Sequence, residues 1–190
     1  MRAQVREIIE INRAIFDDVR LMWKYRVDVQ PGVIIQLLIL LMLANGMPVV
    51  AKNILGDDFS YPIDGGIRFV DGHPLLGTSK TIRGILLSVL VTSVCAPFVG
   101  LDLKNGFLVG SGAMAGDLLS SFLKRRLNLP PSSRATGLDQ IPESLIPLLA
   151  CRNSLSLSGV DIAVTVAIFF VGEMLLSRLL YWIHVRDRPY

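Results

Sequence analysis

The chain has 190 residues, 52% of them hydrophobic and only 18% charged, with a formal net charge of +3 and a mean hydropathy of +0.53. A water-soluble domain of this length carries about a quarter charged residues, so the composition excludes an ordinary soluble fold. So small a positive excess points to anionic lipid headgroups or phosphates rather than to nucleic acid.

Residues 1–30 alternate apolar and polar positions at helical spacing, through Val5, Ile8, Ile9, Ile15, Phe16, Val19 and Trp23. No A-x-A-like cleavage site follows a short apolar core, so this is not read as a secretory signal. It is expected to lie on the membrane as an interfacial amphipathic helix, with Trp23 and Tyr25 at headgroup level. Pro31-Gly32 ends it. Residues 1–32 therefore form an N-terminal arm, and residues 33–190 an integral-membrane domain.

Val33 to Ala51 is uncharged and close to the ~20 residues that cross a bilayer. It is the first expected span, and Asn45 within it needs a partner inside the bundle. Ile82–Leu101 is the second. Asn105–Leu123, dense in Gly, Ala and Ser, is the third, and its Gly112-x-x-x-Gly116 marks close helix packing. Leu138–Cys151 is a short fourth, containing Pro142 and Pro147. Val160–Ile183 is the fifth, with Glu173 and Arg178 expected to face the bundle interior or to snorkel. The fold class is thus all-α and polytopic, with about five transmembrane helices. Cys95 and Cys151 stand in apolar surroundings without metal-ligand spacing and read as reduced thiols. Two polar loops, Lys52–Thr81 and Lys124–Gly137, and the tail 184–190 fall on one side. The positive-inside rule places that side in the cytoplasm, although the N-terminal arm on the other side carries six basic residues.

The chemistry is concentrated between Gly110 and Glu143. Asp117, Ser120, Ser121 and Lys124 lie at i, i+3, i+4 and i+7 and share one helix face. Arg125 and Arg126 follow. A second acidic pair, Asp139 and Glu143, shares a face if its segment is helical. An intramembrane carboxylate marks a functional site by default, and carboxylates beside cations suit a metal and phosphate site. Asp117 and Asp139 are hard oxygen ligands suited to Mg²⁺, provided the third and fourth spans pack together. The bland alternative is a salt bridge from Asp117 to Lys124 or Arg126 that only fixes the helix. In the first loop, Ser79-Lys80-Thr81 begins the second span, with Arg83 one turn in. Free N–H groups and two cations there favour phosphate, although ordinary interfacial cations would look the same. No P-loop spacing is present. His73 reads as structural or exposed.

GDLLSSFLKR at 116–125, followed by GLDQ at 137–140, resembles the signature of CTP-dependent phosphatidate cytidylyltransferases. With PIDGG, DGHPLLG and SKTIRG upstream, the plan is most similar to the small five-span CDP-archaeol synthase branch, over roughly residues 30–185. The resemblance implies transfer of CMP from CTP to a lipid phosphate with release of pyrophosphate and with Mg²⁺ as cofactor, in the cytoplasmic membrane. It implies Asp117 and Asp139 as metal ligands and Lys124 as a phosphate holder. Ser120 or Ser121 would line the site, and Lys80 and Arg83 would contact nucleotide or lipid phosphate. Ser79, Thr81, Arg125 and Glu143 complete the expected substrate-binding set. One departure is clear: the family's second motif carries another Asp where this chain has Pro142, and Glu143 stands one residue later. Two other readings stay open. One is a CTP-dependent lipid-alcohol kinase. The other is a non-enzymatic scaffold or transport subunit with a structural Asp117 and Glu173. Homo-oligomerisation is not decided by the sequence.

Overall fold

The computed structural model describes residues 29–130, 133 and 135–182. Residues 1–28 of the expected amphipathic arm and the end of the tail lie outside the described residues, and Pro31 and Gly32, expected to end the arm, begin α1. The described part is helical: α1 (Pro31–Leu55), α2 (Ile82–Cys95), α3 (Leu103–Arg126), α4 (Gln140–Cys151) and α5 (Gly159–Trp182), with a 3-10 turn at Ala96–Val99 closing α2. Four of these, with α2 counted through Val99, are long and apolar enough to cross a membrane. The fourth helix is the exception, as its length suggests.

Each helix starts and stops for local reasons. Pro31 opens α1, where its fixed φ suits a first turn and its missing N–H costs nothing. Thr81 caps α2, its hydroxyl accepting from the Gly84 amide at 3.3 Å. Pro97 tightens the end of α2 into the 3-10 turn, and Gly100, at φ +90°, reverses the chain. Asp102 then caps α3 by accepting from the Asn105 amide at 2.7 Å. Pro48 inside α1 removes the donor that would bond the Ala44 carbonyl. In a bilayer that acceptor must be satisfied internally, and the Ser88 hydroxyl of α2 donates to it at 2.7 Å.

The third helix is the hub, and its glycines explain why. A Cβ on Gly106 would lie 2.5 Å from the Ala96 Cβ, and one on Gly110 would lie 3.0 Å from the Val89 Cα. On another face, Gly112 would meet the Pro147 Cα at 2.7 Å and Gly116 the Pro142 carbonyl oxygen at 2.3 Å. Two small-residue rows, four residues apart in each pair, therefore seat α2 on one side of α3 and α4 on another. Only the second row stood out in the sequence. Leu37, Leu40, Leu41 and Ala44 of α1 join Val109, Ala113, Leu148 and Phe169 in the core. Leu86, Leu90 and Val94 form an exposed stripe at i, i+4 and i+8 on α2, as a lipid-facing surface should.

At the end opposite the polar loops, the buried Asp161 carboxylate accepts from the Gln30 amide at 2.9 Å and from the Ser158 amide and hydroxyl at 2.9 and 2.7 Å. This ties the start of α5 to the start of α1. Both cysteines are free thiols.

Candidate active site

A cavity of about 720 Å³ opens among the helix ends on the side of the polar loops. Its walls include Asn45 of α1, Ser79, Lys80 and Thr81 before α2, Arg83 of α2, Asp117, Ser121, Lys124 and Arg125 of α3, Asp139, Gln140 and Glu143 at α4, and Glu173 and Ser177 of α5. All five helices contribute, which is why residues far apart in sequence meet.

Two carboxylate–lysine pairs dominate. The Lys80 ammonium donates to both Asp117 oxygens, at 2.5 and 2.6 Å. The Lys124 ammonium lies 2.8 Å from Asp139 Oδ1 and donates to the Ser133 carbonyl at 3.0 Å. The Asp139 pair lacks the angles of a hydrogen bond, so buried Oδ1 has no hydrogen-bond donor among the described residues. The other oxygen, Oδ2, accepts from the Ala135 amide at 3.0 Å. Asp117 thus pairs with Lys80 from the other loop, rather than with Lys124 or Arg126 along its own helix. Glu143 is buried, with its carboxyl in hydrogen-bonding reach of Asp117 and with Glu173 nearby.

Arg125 is 97% buried (3% exposed). Its Nη2 donates to the Pro130 carbonyl at 2.9 Å, while Nε and Nη1 have no partner among the described residues. A buried guanidinium with donors to spare is unusual unless a ligand supplies the acceptors.

The loop before α2 is built around Asp64, the acid of the PIDGG stretch. Asp64 is buried and accepts from the Gly66 amide at 3.0 Å, the Leu76 amide at 2.9 Å and the Gly77 amide at 3.0 Å. Burial alone would raise its pKa, but the amide hydrogen bonds outweigh burial and hold it below the ordinary carboxylate value of 3.8. The sign follows from linkage. This stabilisation is complete above pH 3.8 and is lost as pH falls through the depressed folded value. Asp64→Asn keeps the size but turns one of the two accepting oxygens into an NH2 donor, so at least one of the three charge-assisted bonds is lost and the rest weaken. It is expected to cost about 1–3 kcal/mol at neutral pH, and less as acid titrates the wild type, read as melting temperature against pH.

Most expected site residues come together here: Ser79, Lys80, Thr81, Asp117, Ser121, Lys124, Arg125, Asp139 and Glu143. Two turn out differently. Ser120 is fully buried and donates to the Asp117 carbonyl at 3.0 Å; it is not among the residues lining the cavity, whereas Ser121 is. Arg83 reaches the rim, but its guanidinium donates to the Gly56 carbonyl at 2.6 Å and to the Asp58 carbonyl, closing the end of α1. Asn45, Glu173 and Ser177 were not expected in the site. The one signal for the first two was a polar side chain inside an apolar span. Among the described residues, no three His, Cys, Asp or Glu side chains form a metal cage.

A hydrophobic bundle that buries acids, lysines and an arginine around one polar cavity defines an intramembrane enzyme suited to phosphorylated substrates. The family model for CarS-like CDP-archaeol synthase matches residues 32–104 and 99–190. The CDP-archaeol synthase of Sulfurisphaera tokodaii is 35% identical over 155 residues, which cover 78% of this chain and 90% of that protein. That of Pyrococcus furiosus is 43% identical over 107 residues, covering 51% of this chain and 60% of that protein. A solved structure described as an intramembrane enzyme for archaeal membrane lipids biosynthesis superposes with a TM-score of 0.60 at 27% identity, covering 73% of this chain and 90% of that one. The chain belongs to the CDP-archaeol synthase family. It is a membrane-bound CTP-dependent cytidylyltransferase acting on a lipid phosphate, as the motifs implied, rather than a kinase or a scaffold.

Proposed function

We propose that the chain transfers CMP from CTP to the phosphate of an archaeol-type ether lipid at the cytoplasmic face of the membrane, and that the cavity is where this happens. The observation that carries the assignment to this cavity is Arg125, buried beside two carboxylate–lysine pairs with two guanidinium nitrogens unpartnered among the described residues. A lipid phosphate oxygen forms a bond to the α-phosphorus of CTP. The bond from that phosphorus to its β-bridging oxygen breaks, and pyrophosphate leaves.

Asp117 and Asp139 are the residues that would hold Mg²⁺. The donors are hard oxygens, one of them a buried Asp139 oxygen that no group hydrogen-bonds among the described residues. Few carboxylates are needed, because Mg²⁺ takes its remaining ligands from phosphate and water. When bound, the ion would shield the charge that develops on the leaving pyrophosphate. Lys80 and Lys124 neutralise the two acids at rest and turn to phosphate oxygens when substrates bring competing negative charge. Arg125 fixes a phosphate through its two free nitrogens. Ser79, Thr81, Ser121 and Glu143 line the pocket around them.

Labelled CTP, Mg²⁺ and a panel of ether- and ester-linked lipid phosphates in liposomes test this. CDP-lipid and pyrophosphate are expected, with Asp139→Asn slowing transfer by about 10²-fold or more. CDP with a newly phosphorylated lipid would overturn the reading in favour of kinase chemistry.

A further inference from the structure

We infer that Arg126, which lies outside the cavity wall, is a positioning residue that latches the first polar loop and so aims Lys80. The inference rests on the proposed function and takes the phosphate that Lys80 meets to be that of CTP rather than of the lipid. Arg126 is the last residue of α3, and both hydrogen bonds of its guanidinium join that helix to the loop. Nη1 donates to Asp71 Oδ1 at 2.8 Å and Nη2 to the Pro74 carbonyl at 2.6 Å. The same group lies 4.6 Å from the Phe69 ring centre and 5.0 Å from that of Phe122. Those two rings meet edge to face at 5.5 Å. An exposed ion pair alone would hold little. Here the planar fork spans both sides of a turn and holds its charge close to two aromatic rings, a combination that a lysine cannot reproduce.

The latched segment leads straight to the site. Phe69 and His73, and Ile67 and Leu75, pair through backbone hydrogen bonds at 2.9 Å, making a small hairpin. The next residues, Leu76 and Gly77, are clamped by Asp64. The Gly77 carbonyl accepts from the Lys80 amide at 3.3 Å, and Lys80 then reaches back to Asp117. Asp117 and Arg126 both belong to α3, nine residues or about 13 Å apart along its axis. The loop is therefore stapled to one rigid helix at two points. If Lys80 exchanges Asp117 for a phosphate, one staple opens, and Arg126 keeps the loop from leaving with it.

The test has two arms. In the first, hydrogen exchange is followed in the resting, lipid-embedded protein. Arg126→Ala is expected to speed exchange of the Phe69, Leu75, Leu76 and Gly77 amides at least about tenfold while α3 is unchanged; unchanged loop protection would overturn the latch. In the second, steady-state kinetics should show KM for CTP raised about tenfold, with KM for lipid phosphate within twofold of wild type. Arg126→Lys should not restore it, because it keeps the charge and loses the fork; full recovery by Arg126→Lys would overturn the inference. If Arg126 acts through Lys80, adding Arg126→Ala to Lys80→Met changes KM for CTP little further. Independent multiplication of the two effects, or equal rises in both KM values, would overturn the inference. Arg126→Gln replaces the alanine variant if that does not extract as folded protein. Absence of CTP-dependent transfer in the wild type would count against the proposed function instead, while the exchange arm would still judge the latch.

Discussion

Asp117→Asn is expected to lower CMP transfer by at least about 10²–10³-fold while leaving a folded protein. The substitution keeps size, so α3 and its contacts with α4 should survive. What disappears is a charge with two tasks. At rest it receives the Lys80 ammonium on both oxygens, at 2.5 and 2.6 Å. During turnover it is the proposed carboxylate for the divalent ion. An amide leaves Lys80 without its counterion, but about a fifth of each side chain in the pair is exposed (20% and 17%). The stability loss should therefore be about 1 kcal/mol, well below that of a fully buried broken pair. Activity and melting temperature measured together separate the two tasks. A variant that keeps more than a tenth of wild-type transfer would remove Asp117 from the chemistry. One that fails to fold would make it chiefly structural.

Gly116→Ala should be as damaging by a different route. The new methyl would sit 2.3 Å from the Pro142 carbonyl oxygen, 2.4 Å from its carbon and 2.6 Å from the Glu143 nitrogen. All three are backbone atoms, so no rotamer change relieves the clash, and α3 and α4 must part by about an ångström to reach ordinary contact. Overpacking of this kind costs about 1–3 kcal/mol or more. The same displacement carries Asp139 and Glu143 away from Asp117, and a shift of about 1 Å at a reacting centre can cost 10²-fold in rate. Gly112→Ala, against the Pro147 backbone at 2.7 Å, should behave similarly. Gly46→Ala is the control: nothing lies within 4 Å of its Cβ position, and replacing a mid-helix glycine there should stabilise by at most about 1 kcal/mol. Melting curves in detergent and transfer assays on all three decide the matter. A Gly116→Ala protein with wild-type melting and rate would refute the close-contact account.

The helices were legible because bilayer crossing demands uncharged runs, and each expected span lies within a few residues of its observed helix. Asp117, Lys80, Lys124 and Asp139 were legible as charged residues where apolar ones would be cheaper. Their pairing was not. Helical periodicity suggested partners for Asp117 on its own helix, whereas the cation comes from a loop 37 residues away. Periodicity also cannot separate adjacent serines. Ser120 satisfies itself on the Asp117 carbonyl, and Ser121 lines the cavity. Arg83 looked like a phosphate ligand because it opens a helix. It lines the cavity, and its guanidinium donates to carbonyls just past the end of α1. Asn45 and Glu173 stayed unassigned because nothing in a sequence says which spans border the same hollow.

The brevity of α4 sets a depth. Gly116 of α3 touches α4 at Pro142, and α3 continues ten residues past that contact, whereas α4 begins only two residues from it. At about 1.5 Å per residue, the third helix outruns its neighbour by about 12 Å. The acids at the start of α4 are thus countersunk below the end of α3. With the proposed substrates, only the nucleotide has to change medium, coming down from water into that recess. The lipid can present its phosphate from its own layer, with its chains still among those of its neighbours.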